Sequence, residues 1–196
     1  MNQGLLITGI LGVVVGFAGS VFVLTLVHSL WWAPDSELVV PPGVAILVAP
    51  NPPLRLLIPS LGIDAFVQYV GVNTKGNMGA PDNYTDVGWY RFGTSPGQIG
   101  SAVIDGHVDD GLSLPGVFKN LNEIKKGDDI YVVAKDGSEI DFVVTDIQLY
   151  PYNAAPTNPI FNRQDKARLN LITCKGTWVA GEKTFSKRLV VFAQLR

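Results

Sequence analysis

Hydrophobic and polar positions follow two different rhythms along this chain. Residues 5–27 (LLITGILGVVVGFAGSVFVLTLV) form an unbroken run of 23 positions without a charge. At about 1.5 Å per helical residue such a run spans a hydrocarbon layer of about 30 Å, so it predicts one transmembrane helix. From Leu54 onward the apolar runs are short, and Gly, Pro, Asn and Asp punctuate them, as expected of strands separated by turns. Strands are predicted at 55–59, 65–71, 88–92, 101–106, 129–134, 140–149, 168–174 and 188–195. Several are rich in β-branched and aromatic residues, as in YVVA, DFVVTDI and RLVVFAQL, which suit a pleated, half-buried surface. Between Tyr131 and Val144 the pair Asp136-Gly137 predicts a hairpin with a tight primed turn. Short helices are predicted at 117–124 and within 158–166. The pattern is all-β, and this many short strands in one domain form either a closed barrel or a sandwich.

The flanks of the first run favour a retained anchor. A cleaved signal peptide has a shorter apolar region of about 7–15 residues behind basic residues, whereas here no Lys or Arg precedes the run. Trp31 and Trp32 follow it, as suits a membrane interface. Pro34, Pro41, Pro42, Pro50, Pro52 and Pro53 then break residues 33–53 into a semi-rigid, extended stalk. The predicted organisation is an anchor at 1–32, a stalk at 33–53 and a β domain at 54–196.

Charge and composition narrow the function. All 15 Lys and Arg residues lie at Arg55 or later, and 17 acidic residues less Asp35 and Glu37 leave 15, so 54–196 is formally neutral. A domain without a basic surplus has no electrostatic footprint for nucleic acid. There is one cysteine, Cys174, which excludes an internal disulfide and leaves a thiol available for chemistry. No CxxC, HExxH, GxxxxGK[ST] or GxGxxG pattern occurs, so neither a metal nor a cofactor is expected. Asp105, Asp109 and Asp110 read as a solvated acidic loop around His107.

Alternation in the last two strands places the candidate chemistry. In 168–174, Leu169 and Leu171 share a face with Thr173, and Asn170 and Ile172 share the other with Cys174. In 188–195, Leu189, Val191 and Ala193 mark a core face and leave Arg188 opposite. Antiparallel pairing through a loop at 175–187 would bring Cys174 and Arg188 together on a non-core surface. A guanidinium beside a thiol favours thiolate and can hold an oxyanion. His107, the one histidine of 54–196, follows the run 102–104 at a strand end, and a Cys/His pair is a common way to activate a thiol.

With Asn170-Leu-Ile-Thr-Cys174, Arg188 and upstream His107, the chain resembles the sortases, membrane-anchored cysteine transpeptidases of Gram-positive surfaces. Asn170 stands where the family motif T-L-x-T-C begins with Thr. The resemblance extends over 54–196, through Leu54-Arg-Leu-Leu-Ile-Pro59, Val87-Gly-Trp-Tyr90 and Ala102-Val-Ile-Asp-Gly-His-Val108, and is nearest to class F or neighbouring class E. It implies an eight-stranded barrel and an enzyme that cleaves an LPxTG-like sorting signal through a thioester and transfers the product to an amine of the cell wall or a pilin. It further implies Cys174 as nucleophile, His107 as acid and base, and Arg188 as oxyanion group. Ile172, Thr173, Pro156 and Ile160 would line the peptide site, with the loop 150–167 shaping it. The implied partners are a sorting-signal peptide, an amine acceptor and the membrane, and the implied location is a single-pass membrane protein with its N-terminus cytoplasmic and its domain outside. A membrane-tethered cysteine hydrolase and a catalytically idle peptide-binding barrel are the alternatives.

Overall fold

Every second residue of Asp129–Ala134 is buried, namely Ile130, Val132 and Ala134, and this period of two is what closes the core of the molecule. In a computed structural model of the protein, residues 20–21, 51–109 and 114–196 are described. The chain divides into two units, 1–32 and 33–196. The predicted anchor, apart from Ser20 and Val21, and the stalk up to residue 50 lie outside the described residues. Among the described residues no helix is long and apolar enough to cross a membrane.

Eight strands follow in the second unit: β1 (Pro53–Ile58), β2 (Ile63–Val70), β3 (Val87–Tyr90), β4 (Gly100–Gly106), β5 (Asp129–Ala134), β6 (Glu139–Pro151), β7 (Ala167–Val179) and β8 (Thr184–Leu195). They close in the order β1-β2-β3-β4-β7-β8-β6-β5, because β1 pairs with β2 on one side and with β5 on the other. Closure decides between the two predicted architectures in favour of the barrel, which leaves no sheet edge unpaired. Its interior is filled by Leu56, Ile58, Val87, Trp89, Ile104, Phe118, Leu121, Phe142, Leu169, Leu171 and Val191, among others.

The outer wall of β4, β7 and β8 carries a second, smaller core. Val103, Val190 and Ile160 are buried there, with Ile172, Phe161, Tyr90 and Phe192 packed around them. Ile160 belongs to α1 (Thr157–Phe161), which has five residues. A single turn this short cannot sustain itself by propensity, so tertiary anchoring holds it. Burying the Ile160 side chain contributes about 1.5–3 kcal/mol, and Asn170 Nδ2 donates to the Ile160 carbonyl at 2.5 Å. Strand β4 is therefore buried on both faces along most of its length.

Three local expectations are corrected. The hairpin between β5 and β6 uses a three-residue loop, with Gly137 N–H donating to Ala134 O and Ala134 N–H to Ser138 O. Only Gly137 takes positive φ there, at 87°, whereas a primed turn would need Asp136 to do so as well. Strands β7 and β8 run on to Val179 and from Thr184, so the predicted loop at 175–187 is mostly ladder and the turn is confined to 180–183. The polar run Lys175-Gly-Thr177 ended the apolar signal, but a ribbon facing solvent needs no apolar alternation. The predicted helices shrink to α1 and to a 3-10 turn at Leu121–Glu123.

Candidate active site

Two chains of register set the candidate residues level with one another. Strands β4 and β7 are parallel neighbours paired from Gly100↔Ala167 to Asp105↔Ile172. Continued by two residues, this register sets His107 level with Cys174. Between them lies a cross-link one residue earlier on each strand: the buried Thr173 hydroxyl donates to Gly106 O at 2.7 Å. On the other side β7 and β8 are antiparallel, and Cys174 pairs directly with Arg188. Residues 107, 174 and 188 thus stand level along the barrel wall.

His107 is held through its backbone and its ring. Phe118 N–H donates to His107 O at 2.9 Å, and Gly116 N–H donates to Val108 O at 3.1 Å. Gly106 is required by this packing, because a Cβ there would lie 2.6 Å from Phe118 and 2.8 Å from Val117. The ring rests against Tyr84, with centroids 5.0 Å apart. His107 Nε2 lies 3.0 Å from Pro81 O. A carbonyl only accepts, so Nε2 carries the proton of the neutral ring and Nδ1 is the basic nitrogen.

Arg188 is braced along its own strand. Its guanidinium donates to Phe185 O and Lys187 O, each at 3.0 Å, and to the Thr184 hydroxyl at 2.7 Å. Just past the Cys174–Arg188 level the ladder shifts between Lys175 and Trp178, and Thr177 N–H donates to Ser186 Oγ. A bulge beside a reactive strand re-aims its side chains and steepens its twist. Cys174 itself is half-buried in mid-strand, a stiffer setting than the strand end predicted for it.

The electrostatics differ from the sequence expectation. Burial pushes the Cys174 thiol above its ordinary value, Arg188 pulls it down, Asp105 and Asp109 push it up, and a hydrogen bond from the Phe185 backbone pulls it down again. Burial is the largest of these effects, and the net push is upward. Asp105 does not lie in a solvated loop. It is the penultimate residue of β4, its Oδ1 is buried without a hydrogen-bond partner, and burial holds its carboxyl well above the usual carboxylate range. Asp109 lies 3.9 Å from Lys119, and Asp110 falls outside the described residues. Among the described residues no cluster of three or more His, Cys, Asp or Glu is arranged to hold a metal ion.

The four residues predicted to line the peptide site part company. Ile172 is half-buried on the Cys174 face, and Pro156 is half-buried just before α1. Thr173 faces the interior and Ile160 is buried in the outer core, so neither side chain offers a surface to a peptide. Both act as supports, Thr173 for the His107–Cys174 spacing and Ile160 for α1. Asn170, the departure from the family motif, is buried and ties α1 to β7. Replacing it by Ala orphans the Ile160 carbonyl, at a cost of about 1–3 kcal/mol. The expected result for Asn170→Ala is a lowered melting temperature with faster amide exchange confined to 157–162. A groove of about 680 Å³ opens between α1 and the loop 91–99, lined by Met78, Tyr90, Phe92, Ile99 and Phe161 among others. None of His107, Cys174 and Arg188 lines it.

Comparison with known proteins agrees with this fold. Residues 56–196 match the family model of the sortase domain. Among solved structures the chain is similar to a lid mutant of sortase A from Corynebacterium diphtheriae, with TM-score 0.58 and 23% identity over 76% of this chain and 72% of that one. It is similar to sortase C-1 from Actinomyces oris, with TM-score 0.54 and 27% identity over 72% of each chain. It also matches a sortase D5 transpeptidase from Clostridium perfringens, with TM-score 0.54 and 18% identity over 74% of this chain and 79% of that one. A search of curated proteins finds no match.

Proposed function

Because the chain belongs to the sortase family, we propose that it is a cysteine transpeptidase that cleaves an LPxTG-like sorting signal and passes the acyl group to an amine of the cell wall or of a pilin. The observation that carries this reading is the alignment of His107, Cys174 and Arg188 at one height of β4, β7 and β8, with Thr173 bonded across to Gly106. Cys174 Sγ gives its proton to His107 and, as thiolate, attacks the carbonyl carbon of the signal's Thr. The carbonyl oxygen takes the charge, and Arg188 stabilises it. As the tetrahedral adduct collapses, the C–N bond breaks and His107 delivers a proton to the departing Gly amine. An incoming amine then attacks the thioester and gives its proton to His107, the thiolate leaves, and the enzyme is regenerated. Dividing transfer in this way requires a nucleophile, a proton carrier and an anion stabiliser, and the site supplies each.

Further support comes from the extent of the resemblance. Val87-Gly-Trp-Tyr90 is β3 in full, and Ala102-Val-Ile-Asp-Gly-His-Val108 spans β4 and the turn that holds His107. The segments behind the class F or E likeness therefore build the wall beside the nucleophile. An enzyme acting on exported proteins works outside the cell, so the domain is placed there, with residues 5–27 as the anchor and the N-terminus in the cytoplasm.

The test is mass spectrometry of the full chain in detergent, incubated with LPxTG and LAxTG peptides with and without triglycine. A Cys174 acyl adduct that resolves to a triglycine-linked product is the expected result. Peptide hydrolysis that ignores triglycine would replace the transpeptidase reading with a hydrolase. No adduct with either peptide would leave a binding barrel.

Arg188→Ala is expected to lower turnover by roughly 10² to 10³, the usual cost of losing an oxyanion donor. The same change removes the pull of Arg188 on the thiol. The pH curve for Cys174 alkylation should therefore move to higher pH, since a thiol with a raised pKa becomes thiolate only as pH rises through that higher value. An unmoved curve would show that Arg188 acts on the oxyanion alone.

A further inference from the structure

Asp105 is a buried titratable group for which the mechanism above has no use. It sits two residues before His107 on β4, and its register partner Ile172 sits two residues before Cys174 on β7. Residues two apart on a strand point the same way. The carboxyl therefore lies on the same outer face as the nucleophile, one step down the barrel wall.

The space around it is shaped for a carboxyl but provides no partner for one of its oxygens. Across the β3–β4 ladder Asp105 pairs with Gly88. A Cβ at Gly88 would lie 2.6 Å from Asp105 Oδ1, 2.8 Å from Val70 and 3.2 Å from Pro81, so only glycine leaves room for the carboxyl in this position. Pro81 is also the residue whose carbonyl holds His107 Nε2. Asp105 and His107 thus pack against the same loop. Oδ1 is buried with no hydrogen-bond partner, an arrangement that costs stability wherever the group does no work.

The other charged groups nearby are placed differently. Arg188, level with Cys174 on β8, is tied to Thr184, Phe185 and Lys187. Asp109, beyond His107, lies within reach of Lys119. In the loop before β3, Asp82 and Asp86 accept from Gln68 Nε2, and Asp86 also accepts from Asn83.

We propose that Asp105 is a positioning residue that sets how readily Cys174 ionises, its carboxyl opposing the thiolate whenever it carries charge. Coulomb's law gives the sign: two negative charges on one face of a poorly hydrated wall repel each other, so an ionised Asp105 keeps the thiol protonated and a neutral one leaves it to Arg188. The buried carboxyl acts as a brake that engages as pH rises, in keeping with the upward push of Asp105 on the thiol. The proposal rests on Cys174 being the nucleophile of the transpeptidase reading.

The test reads thiol ionisation directly. The rate of Cys174 alkylation by iodoacetamide is followed from pH 6 to pH 10 in the full chain in detergent, for wild type, Asp105→Asn and Asp105→Ala, with melting temperatures recorded in parallel. Both variants remove the charge, and Asn keeps the shape. The expected result is a midpoint lowered by about one pH unit in both, equivalent to about tenfold more thiolate below the midpoint. If one variant fails to fold, the midpoint of the other decides. An unmoved or raised midpoint in Asp105→Asn overturns the proposal, as does a shift seen in Ala but not in Asn, which would trace the effect to packing. A failure of the peptide assays above, with the alkylation shift intact, would count against the transpeptidase reading and not against Asp105.

Discussion

Cys174→Ala is expected to leave the barrel folded and to abolish acyl-enzyme formation, with turnover down on the order of 10⁶-fold, as when the nucleophile of a covalent catalyst is deleted. The two halves of this result have separate causes. Cys174 lies on the outer face of β7, half-buried and outside both core clusters, so losing Sγ opens no cavity in the barrel interior. The flanking ladder pairs Thr173↔Leu189 and Lys175↔Lys187 are made by backbone and survive the change. The chemistry has no substitute, since Cys174 is the sole cysteine in the chain. Circular dichroism and melting should match wild type, while the peptide assay shows neither adduct nor product. Retained transfer would remove Cys174 from the mechanism.

His107→Ala is the second large effect, with an expected loss of roughly 10² to 10⁴, the range carried by a positioned acid or base. Its size depends on the leaving group. An amine departs only if protonated, so the peptide substrate should suffer the full loss, whereas a thioester substrate, whose thiolate leaves unaided, should acylate Cys174 with a much smaller deficit. Equal losses on both substrates would mean that His107 positions the site and moves no proton. His107→Gln makes a useful companion, because its amide can still donate to Pro81 O and fill the space against Tyr84 without titrating. It should be as slow as Ala on the peptide, with better stability.

The sequence made the candidate set legible because each member has a local signature. Cys174 and Arg188 each lie opposite an alternating row of leucines and valines, and His107 ends a buried run. What alternation could not reveal was the far side of the wall. Read as the non-core face, the row of Ile172 and Val190 turned out to hold a second core, because α1 folds back over it from the segment between β6 and β7. Ile160, expected to line a peptide site, is buried for the same reason, whereas Thr173 is buried because it shares the interior face of Leu169 and Leu171. Asp105 was visible two residues before His107, but a charge next to Gly reads as a loop until the close approach of β3 shows it buried. The thiol was misjudged in degree: the sequence displays the arginine that lowers its pKa, and burial, which outweighs that arginine, is a property of the packed wall.

Taken alone, the amino-acid order determined an all-β domain behind a long apolar segment, the place of each strand in the chain, and which face of its strand Cys174 and Arg188 each occupy. These follow from period-two alternation and turn chemistry, both properties of neighbouring residues. Tertiary structure decided that the sheet closes, that β7 lies between β4 and β8, and hence that residues 107, 174 and 188 stand level. It also decided the desolvation of Cys174 and Asp105. Strand order and burial depend on contacts between residues distant in the chain, and no local pattern encodes which of them come together.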